Sequence, residues 1–150
     1  MEFITKATIG YLTLMGVIVC FKFSYFVAMP TDHWFFYHDF YPTKSEYVMG
    51  EPITFISEAD IYRPVKIEWT DILRCKYDGI YQYASVYESS YIYPERSIFN
   101  GEGASWVWQG PPVQRPTTCY ADSTACAVLP FGIMKCQQGI TEERFNLVSS

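Results

Sequence analysis

The longest apolar stretch in the chain covers residues 3–29, and its only charged side chains are Lys6 and Lys22. A helix of about 20 residues crosses the ~30 Å hydrocarbon core of a bilayer, so this stretch is long enough to span a membrane. It is apolar on every side, which is typical of a membrane span. Two registers fit, residues 3–21 and residues 7–29. We favour the first slightly, because Lys22 then lies just outside the span and the aromatic residues after it lie at the interface.

The length of the stretch predicts an uncleaved signal anchor over residues 1–29, since the apolar core of a cleaved signal peptide has only about 7–15 residues. Two alternatives stay open. Cleavage could follow Ala28, although Phe26 stands where a small residue is preferred. Lipidation could occur at Cys20, because Val-Ile-Val-Cys resembles a lipobox, although Val19 stands where Gly or Ala is usual.

Four of the five cysteines lie outside the apolar stretch, at positions 75, 119, 126 and 136. An even number of cysteines in an exported domain predicts disulfides, and four cysteines allow three pairings. We prefer Cys75–Cys119 with Cys126–Cys136. The alternative is a zinc site, but structural zinc sites usually contain close pairs with two to four intervening residues, and none of these spacings is that short. The lysines around the span leave its orientation nearly undetermined, so the cysteines are the better evidence that the C-terminal part is extracytoplasmic.

The remainder of the chain has the composition of a β domain. Aromatic residues make up 19% of the sequence, which favours strands over helices. In residues 65–70, Val65, Ile67 and Trp69 alternate strictly with polar residues, which predicts a strand with these three side chains facing inward. A turn is expected at residues 100–103, and short strands at 104–108, 126–129, 133–136 and 145–148. Trp106 and Trp108 share a face, and one of them is expected in the core.

A row of tyrosines in residues 80–93 is the most distinctive candidate binding feature. All five have odd numbers, so in an extended strand they would face the same way: Tyr81, Tyr83, Tyr87, Tyr91 and Tyr93. Such a row fits either of two interpretations. The rings could pack inside the domain, or they could form an exposed binding face, because tyrosine offers a large contact area at low entropic cost.

Together these patterns predict three regions. Residues 1–29 are the transmembrane signal anchor, residues 30–48 a juxtamembrane stalk rich in aromatic residues, and residues 49–150 an all-β domain. About seven short strands and no further helix indicate an antiparallel, immunoglobulin-like sandwich.

This layout resembles small single-pass, membrane-anchored proteins with one immunoglobulin-like domain, of the uncharacterised bacteriophage type. The similar features are Gly50 before the first strand, the segment from Trp69 to Cys75, the Pro111-Pro112 pair before Cys119, and a last strand at Phe145-Asn146-Leu147. The resemblance covers roughly residues 49–150. It implies a location at the membrane more than it implies an activity.

No catalytic residue, cofactor site or metal site is predicted. The sequence has no G-x-S-x-G, Walker or dinucleotide-binding motif. His33 and His38 lie beside Asp32 and Asp39, but their spacing suits neither one helix face nor one strand face, so we interpret them as part of a solvated stalk. Three further carboxylates are interpreted as turn and surface residues: Asp60, Asp71 and Asp78.

The function that these features favour is a non-enzymatic binding or structural module. Its partners would be the membrane together with another protein or an envelope component. The net charge of -5 and the scattered Lys and Arg residues argue against nucleic-acid binding. The alternatives are a phage lysis or exclusion factor that acts on the membrane, or an envelope hydrolase. A hydrolase would require polar groups that converge within hydrogen-bond reach, which can be checked for His33, His38, Asp60, Asp71 and Glu88.

Overall fold

The computed structural model describes residues 2–77, 80–112, 115–139 and 143–149, with side chains for all of these except residues 2–5, 77, 80–84 and 103–104. The described residues form one α-helix, nine strands and two 3₁₀ turns. The helix is α1 (Glu2–Ala28), and the turns are Thr31–His33 and Pro130–Gly132. The strands are β1 (Phe35–Pro42), β2 (Glu46–Val48), β3 (Pro52–Ile61), β4 (Val65–Tyr77), β5 (Ile80–Tyr93), β6 (Ser97–Val107), β7 (Thr117–Val128), β8 (Met134–Gln138) and β9 (Phe145–Val148).

The strands form two sheets that pack face to face. One sheet has the order β1-β3-β6, and the other has the order β2-β9-β7-β4-β5, with β8 also paired to β7. All pairs are antiparallel except β2 with β9, which is parallel. Aromatic rings join the two sheets, as in Tyr37 with Trp69 (ring centroids 5.1 Å apart) and Phe55 with Phe145 (5.7 Å). The predicted β-rich fold is confirmed at this level.

The strand alternation in β4 is confirmed. Val65, Ile67 and Trp69 are all buried, whereas Lys66 and Glu68 lie on the outer face and form an ion pair with N and O 2.6 Å apart. Both Trp106 and Trp108 are buried, one more than expected. The hydrophobic core therefore lies between the sheets. The alternation of apolar and polar residues correctly predicted which side chains of β4 face this core.

Residues 30–48 are not a stalk, contrary to the prediction. They supply β1 and β2, and they bury Trp34, Phe35, Tyr37 and Phe40 in the core. A register shift between Tyr37 and Asp39 breaks the alternation inside β1. Because a bulge of this kind changes which residues face inward, the segment did not show a clean period of two.

The expected turn at residues 100–103 is also wrong, because β6 continues through it. Asn100, Gly101 and Glu102 pair with Glu58, Ser57 and Ile56 of β3. Another register shift, between Thr54 and Ile56 of β3, accommodates the glycine-rich sequence. Glycine inside a strand weakens it and often marks a bulge, and here the register shift lies between Glu102 and Ser105 of β6.

The preferred cysteine pairing is present in the structure. Cys75 of β4 is bonded to Cys119 of β7, and Cys126 of β7 is bonded to Cys136 of β8, with the Cα atoms of each pair 4.0 Å apart. Each pair also lies directly opposite in strand register. Both disulfides therefore join neighbouring strands of the same sheet through β7.

Helix α1 is long and apolar enough to cross a membrane over Lys6–Ala28; no residue of that segment is fully buried by the protein, and Tyr25 and Phe26 are half-buried. Its last turns contact the β domain near the two 3₁₀ turns. Strand β1 begins directly after this junction, and its first residue, Phe35, aligns with Ile61 of β3 and thereby with Ser97 of β6. These three residues define the end of the sandwich that lies closest to the helix.

Candidate functional site

A cleft of about 670 Å³ opens between β5 and β6, which are edge strands of different sheets. The short link of residues 94–96 joins the two strands and closes the cleft at the end nearest the helix. At the other end, the rings of Tyr87 and Trp106 approach to 6.0 Å. Between its two ends the cleft stays open because its walls include four small side chains: Ser57, Ser89, Ser90 and Ser97.

The tyrosine row contributes directly to the cleft. Tyr87, Tyr91 and Tyr93 all line it, together with Trp69 and Phe99. Tyr93 is buried, whereas Tyr87 is 39% exposed and Tyr91 is 61% exposed. The side chains of Tyr81 and Tyr83 lie outside the described residues. Tyr93 therefore packs in the core, whereas Tyr87 and Tyr91 form an accessible wall of the cleft. Each of the two interpretations of the row applies to part of it.

Strand register explains why these rings face the cleft. Tyr91 lies opposite Ile67 and Tyr87 opposite Asp71, so both tyrosines share the inward face of β4. Ile67 and Asp71 are covered by the facing sheet, but β5 is the outermost strand of its sheet and is covered only in part. An inward-facing side chain on β5 thus reaches the edge of the sandwich, where solvent and ligands have access.

A buried polar network lies at the floor of the cleft. The Tyr37 hydroxyl donates to Ser123 Oγ at 2.6 Å, and the Ser123 hydroxyl donates to Asp71 Oδ1. Ser57 also lies beside the Tyr37 hydroxyl. All four residues are at most 4% exposed, and Ser57 and Asp71 line the cleft. Because Ser123 is 1% exposed and lies behind Asp71, it is not placed as a nucleophile toward the cleft.

Burial raises the pKa of Asp71 to about 6, and the hydrogen bond from Ser123 opposes this shift only in part. Burial also raises the pKa of Tyr37 well above its ordinary value. Desolvation disfavours the charged form of each group, which is the expected effect when no opposite charge lies nearby. Asp71 was interpreted as a surface residue, and that prediction is wrong.

The charge of the cleft is negative. Asp71, Glu95 and Glu102 line it, and no Lys or Arg does among the residues that the structure describes. Arg96 belongs to the link at the end of the cleft, but its guanidinium lies over the ring of Tyr62, 5.9 Å from the ring centroid. The site therefore combines aromatic faces with carboxylates that have no cationic partner in the cleft wall.

The remaining predicted polar residues do not converge on this cleft. His38 Nε2 lies 3.0 Å from Asp60 Oδ2 on the outer face of the three-stranded sheet, and both side chains are partly exposed. His33 Nε2 instead contacts the Tyr25 hydroxyl at 2.9 Å. Glu88 aligns with Thr70 on β5 and β4. Of the five residues proposed for a hydrolase check, the structure thus brings together one pair, His38 and Asp60, and neither residue lines the cleft.

Asp78 lies outside the described residues. Within the part of the chain that the structure describes, no group of three or more His, Cys, Asp and Glu side chains is placed to hold a metal ion. Sequence reasoning missed Ser57, Ser123 and Tyr37. For Ser57 and Ser123 the available signal was an inward position within an alternating strand, where a polar residue requires a buried partner. Tyr37 lies at the bulge of β1, where the alternation is broken.

Comparison with known proteins adds little to this geometry. No protein-family model and no curated protein matches the chain. Among solved structures, it is similar to the Pseudomonas fluorescens alkylpurine DNA glycosylase AlkC bound to DNA containing an abasic site analog, with a TM-score of 0.42 and 12% sequence identity. The match covers 75% of this chain and 30% of that chain. A similarity at this level indicates neither a shared fold nor a shared activity.

Proposed function

We propose that this chain is a membrane-anchored, non-enzymatic binding module whose β domain lies outside the cytoplasm and binds its partner in the β5–β6 cleft. The observation that carries the proposal is the cleft itself, an accessible site of about 670 Å³ with aromatic walls and a buried carboxylate at its floor. Concave, mostly apolar sites with a few convergent polar groups are where ligands usually bind.

The location outside the cytoplasm is supported by the helix and the disulfides together. Helix α1 is apolar enough to cross a bilayer, and two disulfides lie in the β domain. Disulfides persist in oxidising compartments and are rare in the cytosol. A single-pass topology with a periplasmic or extracellular C-terminal domain satisfies both features.

The chemistry of the cleft favours a protein partner that presents a basic side chain flanked by apolar groups. Three carboxylates without a lining cation attract a positive charge and repel an anion, which also argues against nucleic acid. The rings of Trp69, Tyr87 and Tyr91 line the same cleft and would add cation–π contacts to such a side chain, which strengthen when the cation is removed from water. A Lys or Arg side chain inserted between these rings would contact both the aromatic rings and the carboxylates of the cleft.

We also propose that the domain belongs with the immunoglobulin-like sandwiches of the bacteriophage type. Two packed, largely antiparallel sheets support this assignment. The chain departs from antibody domains in one respect. Its Cys75–Cys119 disulfide joins neighbouring strands of the same sheet, whereas the antibody disulfide joins the two sheets.

Site-specific photo-crosslinking of the full chain in its native membrane tests the binding proposal. A benzophenone amino acid replaces either Tyr91, which lines the cleft, or Ile92, which is 68% exposed on the opposite face of β5. We expect a crosslinked partner from position 91 and none from position 92. Glu95→Lys and Glu102→Lys should each reduce the yield at position 91. Equal yields at the two positions, or a yield that ignores both charge reversals, would contradict the proposal.

A further inference from the structure

The last two turns of α1 pack on the β domain. The Tyr25 hydroxyl contacts His33 Nε2 at 2.9 Å, and Lys135 Nζ donates to the carbonyl oxygen of Val27 at 2.7 Å. The rings of Phe26 and Trp34 lie 5.7 Å apart. Contacts from both the Thr31–His33 turn and β8 thus hold the end of the helix on the domain.

The Pro130–Gly132 turn extends these contacts back along the helix. The ring of Phe131 lies 5.9 Å from that of Phe23 and 6.3 Å from that of Phe26. A shallow hollow beside the turn is lined by Phe21 and Lys22 as well. Even so, Phe131 remains 54% exposed. The tip of the turn therefore presents an aromatic ring that the protein covers only in part.

Phe131 adopts this position at a conformational cost. Its φ is 65°, in the left-handed region that bulky side chains rarely enter, and a hydrogen bond of 2.8 Å from Leu129 N to Ile133 O closes the turn around it. A residue held this way typically costs about 1–3 kcal/mol, and glycine would avoid that cost. An exposed phenylalanine in a position that suits glycine points to a use for the ring itself.

Helix geometry sets the depth of this ring. At 1.5 Å per residue, Phe21 lies about 10 Å before the end of α1 at Ala28. The ring of Phe131 contacts the helix at Phe23, two residues after Phe21, and irregular backbone cannot enter hydrocarbon with its polar groups unsatisfied. A hydrocarbon span that ends near Phe21 keeps this turn outside the hydrocarbon, and it corresponds to the register of residues 3–21.

We infer that the Pro130–Gly132 turn is a second membrane contact, which places Phe131 and Phe23 among the lipid headgroups and lays one end of the β domain on the bilayer surface. This inference rests on the proposed membrane anchoring. Aromatic rings favour the interface, and Lys22, which lines the same hollow as Phe131, lies where it can reach lipid phosphates. The cleft is then held at a fixed height, because its closed end lies at the same end of the sandwich as the helix.

Depth-dependent fluorescence quenching on the full chain tests this contact. In a Cys20→Ser background, Phe131→Cys is labelled with an environment-sensitive fluorophore, and the protein is placed in phosphatidylcholine vesicles with or without headgroup-region nitroxide lipids. Val107→Cys is the matched control, since Val107 is 52% exposed and pairs with Pro52 at the opposite end of the sandwich. We expect several-fold quenching at position 131 and none at position 107.

The possible failures are distinguishable by flotation of the same vesicles. A chain that floats with the vesicles but shows no quenching at position 131 overturns this inference and leaves the anchor intact. A chain that does not float overturns the anchor and the inference together.

A second variant tests whether the Phe131 ring itself, and not the backbone of the turn, makes the membrane contact. Phe131→Gly should fold at least as well, because glycine adopts the same backbone conformation freely. With the fluorophore moved to Met134→Cys, which is 49% exposed in β8, quenching should be weaker in the Phe131→Gly variant than in the chain that keeps Phe131. Unchanged quenching would show that the ring is not the contact and would overturn the inference.

Discussion

Strand β4 has two neighbours in its sheet, β7 and β5, and they differ in almost every respect. β7 buries every second residue along its length and is hydrogen-bonded on both edges, to β4 on one side and to β8 and β9 on the other. Both disulfides include a cysteine of β7. β5 pairs with β4 alone among the described strands, and its residues 86–92 are all exposed.

This difference shows how one sheet provides both a rigid support and an accessible edge. The β7 side holds Ser123 and, through it, the position of Asp71 at the floor of the cleft. The β5 side supplies tyrosines whose rings are only partly covered. Both disulfides and the hydrogen bond from Ser123 to Asp71 involve β7, which lies behind the cleft. They hold the floor of the cleft in place and leave its entrance at β5 open.

Removing the longer disulfide should have the largest effect on this arrangement. The Cys75–Cys119 bond spans 44 residues, for which the chain-entropy relation gives about 4 kcal/mol of stability. We expect the Cys75→Ala/Cys119→Ala double variant to lose roughly that free energy of unfolding. Guanidinium titration of the full chain in detergent, followed by tryptophan fluorescence, measures it.

The Cys126–Cys136 bond provides the matched comparison. It spans 10 residues, so the same relation gives about 3 kcal/mol for its removal. If removal of the shorter bond lowers the free energy of unfolding more than removal of the longer one, loop-closure entropy does not explain how these disulfides stabilise the protein.

Replacing Asp71 should increase the stability of the protein, in contrast to removing a disulfide, and the gain should depend on pH. Because its folded pKa of about 6 exceeds the ordinary value, the folded state binds the proton more tightly than the unfolded state does. Its contribution to stability therefore falls as the pH rises from about 4 to about 6. Asp71→Asn should stabilise the protein by up to about 3 kcal/mol above pH 7 and by little at pH 4. Titrations of both proteins at the two pH values measure the difference, and a gain that is independent of pH would contradict the burial argument.

Tyr37→Phe should have a smaller effect, because it removes only the hydroxyl that donates to Ser123. A net loss of about 1 kcal/mol is expected, since the ring that packs against Trp69 is retained. Tyr41→Phe is the control within β1, because the Tyr41 hydroxyl bonds to Glu58 on the outer face. Thermal unfolding should distinguish the two variants. Equal shifts in melting temperature would mean that the buried network adds nothing to stability.

The smallest stability effect is expected at the cleft wall. Tyr91 is 61% exposed, so Tyr91→Ser should change the free energy of unfolding by no more than about 0.5 kcal/mol. Tyr93→Ser, two residues along the same strand face, removes a ring that is 6% exposed and should cost several times as much. A large loss at Tyr91 would indicate that β5 is part of the core and not an open edge.

The sequence predicted what depends on local pattern and failed where the pattern was interrupted. The alternation in Val65, Ile67 and Trp69 identified the inner face of β4, and the apolar run predicted the helix. The preferred cysteine pairs were also correct. The bulge in β1 and the one between Glu102 and Ser105 of β6 interrupted the pattern of these two strands, because an extra residue shifts the period of two.

The candidate site was predictable only in part. The tyrosine row pointed to β5, but which rings are covered depends on the facing sheet and on the position of β5 at the edge. The network of Tyr37, Ser123 and Asp71 joins residues 86 and 52 positions apart in the chain, so no local spacing could indicate it. That Asp71 lies at the floor of a cleft follows from tertiary packing alone.

Amide hydrogen exchange of the full chain, resolved by residue, tests most directly whether the β5 side is open. An edge strand donates hydrogen bonds from alternate amides only, whereas a strand with partners on both sides donates from nearly all. We predict that alternate amides in residues 85–92 exchange rapidly, while amides along β7 exchange slowly at nearly every position that a partner strand covers. Uniform slow exchange across residues 85–92 would mean that β5 is covered, and it would contradict an accessible cleft at this edge.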